Sequence, residues 1–205
     1  TDFSNSGANN TDFDCEAFVA TNDGLYLFTK QWVSKKTSVY SLPKIPSSIV
    51  DTAILKATYD VQGLISGATY LKDKNVVVLT GYNTNFSTFL NPFVYLLYDF
   101  AGNDFFSGNK RKIDVTQPLS QIEAIATTDG KSFFLTNETL GNSIITIPQR
   151  LQKIDLSAYL NNYYQTALAK IIREDDVRIY PNPATNAISV QLSSAKQATA
   201  ELLLI

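Results

Sequence analysis

The chain has 205 residues, 44% of them apolar and 12% aromatic, and a formal net charge of −2. That is enough apolar matter for a buried core, so a disordered chain is excluded, and no basic field exists to attract nucleic acid or an anionic membrane. It contains no His, no Met and a single Cys, Cys15, which excludes an internal disulfide, a Cys/His zinc site and any mechanism that needs imidazole within this stretch.

The chain opens on an Asn/Ser/Gly-rich stretch, Thr1 to Thr11, in which no signal peptide is visible. With no Met present, the natural N-terminus is expected upstream. No apolar run approaches the length of a transmembrane segment. Strand signals then dominate. Leu25–Phe28, Val76–Leu79, Phe93–Leu97 and Ser132–Leu135 are short β-branched or aromatic runs bounded by Gly, Asn, Asp or Pro. Asn22-Asp23-Gly24 and Thr128-Asp129-Gly130 read as hairpin turns.

These runs belong to a repeat. The segment from Glu16 to Thr29 can be laid on the segment from Glu123 to Thr136, an offset of 107 residues, and a weaker copy from Ser66 to Thr80 lies between them. The turn acids Asp23, Asp73 and Asp129 are then 50 and 56 residues apart. A hairpin period near 50 predicts the blades of a β-propeller, each a strand, a turn, an apolar strand and two outer strands such as Val39–Leu42 or Phe93–Tyr98. A blade buries its faces only against its neighbours, and about three blades cannot close a ring. Further blades are therefore expected upstream, with apolar faces left uncovered here.

From Leu156 the period changes. Leu156, Tyr159, Leu160, Tyr163, Tyr164, Leu168, Ile171 and Ile172 recur at near-helical spacing, and Arg173-Glu174-Asp175-Asp176 forms a polar joint. The chain thus divides into a partial β-propeller over 1–158, a linker over 159–176 and a distinct tail over 177–205.

The tail carries the most specific pattern. Val177-Arg178-Ile179 leads into Tyr180-Pro181-Asn182-Pro183, followed by Ala184-Thr185-Asn186 and by the alternating apolar positions Ile188, Val190 and Leu192. Two prolines fix φ and remove backbone donors, so the segment turns and strand pairing stops there. In order and chemistry this stretch resembles the opening of the type A C-terminal sorting domain of the type IX secretion system. The resemblance covers Val177 to Ile205 and implies the start of a small Ig-like β-sandwich, cut short after Leu204-Ile205. It further implies export across the outer membrane by the type IX machinery, and a product released or held at the cell surface. The upstream part is similar to propeller domains of uncharacterised exported cargo and, less specifically, to phytase-like and lactonase-like propellers. Asp14-Cys15-Glu16-Ala17 with Leu25–Lys30, and Ile122-Glu123-Ala124-Ile125 with Leu135–Glu138, carry that similarity.

Candidate chemistry is sparse. Glu16 and Glu123 hold equivalent repeat positions, at the start of strands that would line a propeller channel. There they could bind a hard cation such as Ca²⁺ through oxygens, with Asn137 and Glu138 as further ligands, or simply satisfy groups at blade junctions. The 11 Tyr and Trp32 could stack on the sugar rings of a glycan or pack between blades. Asp99–Asp104 lacks the ligand alternation of a calcium loop, and no Ser-His-Asp, phosphate-loop or dinucleotide pattern occurs. The expected protein is all-β: exported cargo of the type IX system, a non-catalytic propeller module binding a glycan or protein, secreted or attached to the cell surface. The alternative is a Ca²⁺-dependent propeller hydrolase of the phytase-like or lactonase-like kind with its remaining ligands upstream.

Overall fold

The computed structural model describes residues 9–45, 50–84, 90–116, 121–141, 146–161, 163, 177–180 and 189–192. Its contacts divide the chain into two units, Thr1–Leu156 and Ser157–Ile205.

The first unit is all-β and antiparallel. Strands β1 (Asp14–Ala20), β2 (Leu25–Lys30), β3 (Thr37–Leu42) and β4 (Ile54–Tyr59) form an open sheet in chain order. A second sheet of the same order holds β5 (Leu64–Leu71), β6 (Val76–Tyr82), β7 (Pro92–Tyr98) and β8 (Asn109–Asp114). The third has three strands, β9 (Ile122–Thr127), β10 (Ser132–Asn137) and β13 (Arg150–Asp155). The short pair β11 (Leu140–Gly141) and β12 (Thr146–Ile147) is inserted between the last two of them. The first strands stand side by side, β1 against β5 and β5 against β9.

The burial pattern follows from that order. The first sheet buries one face of β1, Ala17 and Val19, while Phe18 between them is exposed. β6 lies in the middle of the stack and is buried at every position from Val76 to Tyr82, which is why it reads as a continuous apolar run rather than an alternation. The main core joins Ala17, Val19, Phe28 and Val39 of the first sheet to Val77, Leu79, Phe93 and Tyr95 of the second. The β7–β8 loop completes this interface. Its Phe105 meets the rings of Tyr26 and Phe100, each at 5.1 Å, and Asn103 donates through Nδ2 to the carboxylate of Asp23 at 2.8 and 2.9 Å.

The repeat has a structural counterpart in a β-bulge near the start of each first strand. The register slips between Cys15 and Ala17, between Ile65 and Gly67, and between Ile122 and Ala124 on the far side of Thr136/Asn137. Glu16, Ser66 and Glu123 are the extra residues at these three slips. A bulge re-aims the side chain that it inserts and twists the strand locally, and Glu16, Ser66 and Glu123 hold equivalent positions of the three sheets. The first strands approach closely here: Ser66 Oγ donates to the Ile122 carbonyl. A Cβ built on Gly67 would lie 3.2 Å from Ala124 Cα, so only glycine leaves that contact unstrained.

The turns that follow are less uniform. Thr21 and Thr127 occupy matching positions: Thr21 N–H bonds the Gly24 carbonyl at 2.9 Å, and Thr127 Oγ1 donates to the Ser132 carbonyl at 2.6 Å. Asp129 accepts the N–H groups of Lys131 and Ser132, bonds that pull its carboxyl down to about 2. In the second sheet the turn is instead a 3₁₀ turn, Lys72–Lys74, closed by Asn75 with φ 52°. This different turn, together with Ser66 in place of a glutamate, explains why the middle copy is faint in the sequence.

In the second unit, residues 157–161 are helical, and β14 (Val177–Tyr180) pairs with β15 (Ser189–Leu192), Val177 opposite Leu192 and Tyr180 opposite Ser189. Tyr180 thus ends a strand, and Pro181, Asn182 and Pro183 lie outside the described residues. Among the described residues no helix is long and apolar enough to cross a membrane.

Candidate functional site

The bulges of the first and third sheets open on one cavity of about 570 Å³. Two sets of side chains line it. The bulge residues Glu16 and Glu123 come from the first strands. Lys30 and Tyr82 come from the ends of second strands, where register pairs Asp14 with Lys30 and Leu64 with Tyr82; Glu138 follows β10 at the corresponding place.

Lys30 is the centre of this cluster. Its side chain is only 4% exposed, and its Nζ lies 2.7 Å from Glu16 Oε2 and 3.8 Å from Glu123 Oε2. The ammonium also stands 5.0 Å from the centre of the Trp32 ring and 5.2 Å from that of Tyr82. Burial works against its charge, but hydrogen bonds to Glu16 and Tyr82 and the attraction of Glu123 outweigh it and hold Lys30 above the ordinary lysine range. Glu123 moves the other way from an ordinary glutamate. Burial, the neighbouring Glu16 carboxyl and the charge of Glu138 push it up to about 8, against the pull of Lys30. Glu123 thus favours its protonated form near neutral pH, and the lysine lies closer to Glu16 than to Glu123. Burial likewise raises the Tyr82 phenol, with Lys30 opposing.

Of the four residues expected to gather round a cation, Glu16, Glu123 and Glu138 share the cavity and Asn137 does not. Asn137 is buried and its Nδ2 donates to the carbonyls of Glu138 (2.9 Å) and Pro148 (3.1 Å). The positive charge between Glu16 and Glu123 is the Lys30 ammonium. Among the described residues no group of three or more acidic, His or Cys side chains is placed to hold a metal ion. These residues therefore do not form the oxygen cage that Ca²⁺ takes.

Trp32 is anchored rather than offered outward. Its ring packs on the buried cluster of Leu64, Tyr82 and Leu90, Nε1 donates to Asp14 Oδ2 at 3.1 Å, and Lys35 Nζ stands 5.7 Å from its centre in addition to Lys30. Lys30 and Tyr82 had no signal of their own in the sequence, where a lysine closing a strand reads as a solvent-facing residue. Their signal is positional: each follows the bulge residue of its own repeat by one hairpin. Cys15, beside the bulge, has its thiol raised chiefly by burial and directs Sγ to the Ala17 and Phe28 carbonyls.

The arrangement can accept hydrogen bonds through three carboxyl groups and donate through the Glu123 carboxylic acid. No protein family, curated protein or solved structure matches the chain.

Proposed function

We propose that this chain is part of an exported, non-catalytic binding module, its sheets being blades of a β-propeller-type ring and its tail the address for the type IX export machinery. The ring reading rests on three sheets in chain order with their first strands side by side and on the matching bulges. In such a ring the first strands line the channel, and the cavity at Glu16, Lys30 and Glu123 is its mouth. The single observation that carries the binding reading is this cavity, lined by equivalent residues of successive repeats. Its chemistry suits a polyhydroxylated ligand, a glycan segment, whose hydroxyls meet carboxyl groups that both accept and donate. A glycan array probed with the chain and with Glu16→Gln tests this: binding that the substitution abolishes supports the reading, and an array without specific binding refutes it.

The alternative, a Ca²⁺-dependent propeller hydrolase, asks for a divalent cation at the place where the Lys30 ammonium already offsets the carboxylates. The address rests on the sequence Tyr180-Pro181-Asn182-Pro183 with the strand positions before and after it. Appending the tail from Val177 onward to a foreign periplasmic protein, in a host with the type IX machinery, tests it. Export supports the address and periplasmic retention refutes it.

A further inference from the structure

An apolar row crosses the first sheet on the side away from the core. Phe18 pairs with Leu27, Leu27 with Tyr40 and Tyr40 with Leu55, so one side chain from each of the four strands lies in a line. Phe18 is 60% exposed and Leu55 54% exposed. The same register position in the second sheet is the row Ala68–Leu79–Tyr95–Lys112, in which Leu79 is 0% and Tyr95 7% exposed, and in the third sheet it is Ile125–Leu135–Gln152, at 6%, 0% and 7%. What covers these rows follows a serial rule. The second sheet's row packs against Ala17, Val19, Phe28 and Val39 of the first sheet, and the third sheet's first strand lies against β5 and β6 of the second. Each row is covered by the sheet that precedes it in the chain.

We infer that the row Phe18–Leu27–Tyr40–Leu55 is a docking surface for one more four-stranded antiparallel sheet of this repeat, carried N-terminal to Asp14 in the same polypeptide. Every other copy of the row is closed in that way, and an apolar row of this length left in water is costly for the chain and prone to association. The chemistry of the covering face is specified by the interfaces already present. Its first strand carries small residues at the positions of Ala17, Gly67 and Ala124, because the bulky Phe18 stands where the second sheet has Ala68. Its second and third strands carry branched and aromatic residues, as Phe28 and Val39 do. This inference rests on the repeat-sheet ring proposed above, and it makes the open face a contact within the polypeptide rather than a site for a foreign partner.

Thiol labelling tests it. In a Cys15→Ser background, Phe18→Cys is placed both in the 205-residue chain and in the longest polypeptide that the gene encodes, and its rate with a maleimide is measured with the sedimentation of each. The expected result is rapid reaction of a monomeric 205-residue chain and a rate slower by at least about tenfold in the longer polypeptide, as for a thiol behind a packed face. Equal rates in the two would overturn the inference. So would slow reaction of the shorter chain as a dimer, because a second copy would then be the cover. Leu151→Cys, on the outer side of the third sheet, separates this inference from the ring itself. If Phe18→Cys is protected and Leu151→Cys stays reactive in the longer polypeptide, the preceding sheet exists but the sheets form an open stack.

Discussion

Replacing Glu123 by Gln should change how stability depends on pH, in a window that this chain leaves unusually clear. It has no His, so apart from the α-amino group no side chain of ordinary pKa titrates between pH 5 and 8. Glu123 does, because its carboxyl is held up to about 8 in the folded chain against 4.5 ordinarily. The folded state then binds a proton that the unfolded state has released. The contribution of Glu123 to stability is therefore fully present below about pH 4.5, falls as pH rises toward 8 and is lost above. Fully expressed, the difference would be worth ~5 kcal/mol, and a slope of at most ~1.4 kcal/mol per pH unit is allowed for one proton. The side chain keeps 23% of its surface in water, so a loss of about 2–3 kcal/mol across the window is expected after screening. Glu123→Gln keeps the shape and one donor without the titration, and should lie within about 1 kcal/mol of the parent at pH 5.5 and above it by about 2 kcal/mol at pH 8.5. Urea denaturation at half-unit steps of pH measures both curves. A parent stability that is flat or rising from pH 5.5 to 8, or a variant with the same slope as the parent, would refute the reasoning.

Three further outcomes follow from the same geometry. Lys30→Met leaves the Glu16 carboxylate without its cation and should cost about 1–3 kcal/mol at pH 7 by denaturant melting, since Glu16 is partly exposed and the full cost of a broken buried pair is not reached. Gly81→Ala would place a Cβ 2.0 Å from the Leu64 carbonyl oxygen, inside the β5–β6 ladder. It should cost about 3 kcal/mol or abolish folding, whereas a loss under about 1 kcal/mol would show that the ladder yields there. Melting temperature should not respond to millimolar Ca²⁺ or to chelator, because Lys30 supplies the charge that a bound cation would supply. A clear rise with Ca²⁺ would restore the metal reading of Glu16, Glu123 and Glu138.

The strands that were legible in the sequence are the inner ones. β2, β6 and β10 carry dense apolar runs because they are flanked within their own sheets and packed on one or both faces, and the Asp-Gly turns at Asp23 and Asp129 mark where two of them begin. The outer strands β4 and β8 were not legible. β8, Asn109–Asp114, alternates charged and half-buried residues at a sheet edge, where a strand needs little apolar surface. The equivalence of Glu16 and Glu123 was readable because both keep the same neighbours at the same bulge. The cluster they join was not, because Lys30 gains its meaning only when the third sheet brings Glu123 to within 3.8 Å. Trp32 shows the same limit: one aromatic residue near a strand end is compatible with a sugar platform and with a packed wall, and only the contacts with Leu64 and Leu90 and the two lysines distinguish them.

Export by way of the tail is the claim on which the whole functional account depends, and cell fractionation tests it most directly. The full polypeptide and a version ending at Asp176 are expressed in a host with the type IX machinery, and each is followed into periplasm, outer surface and medium. The account predicts that the full polypeptide reaches the surface or medium while the shortened one stays folded in the periplasm. Equal arrival of both outside the cell would contradict it, and would leave β14 and β15 as no more than a terminal hairpin.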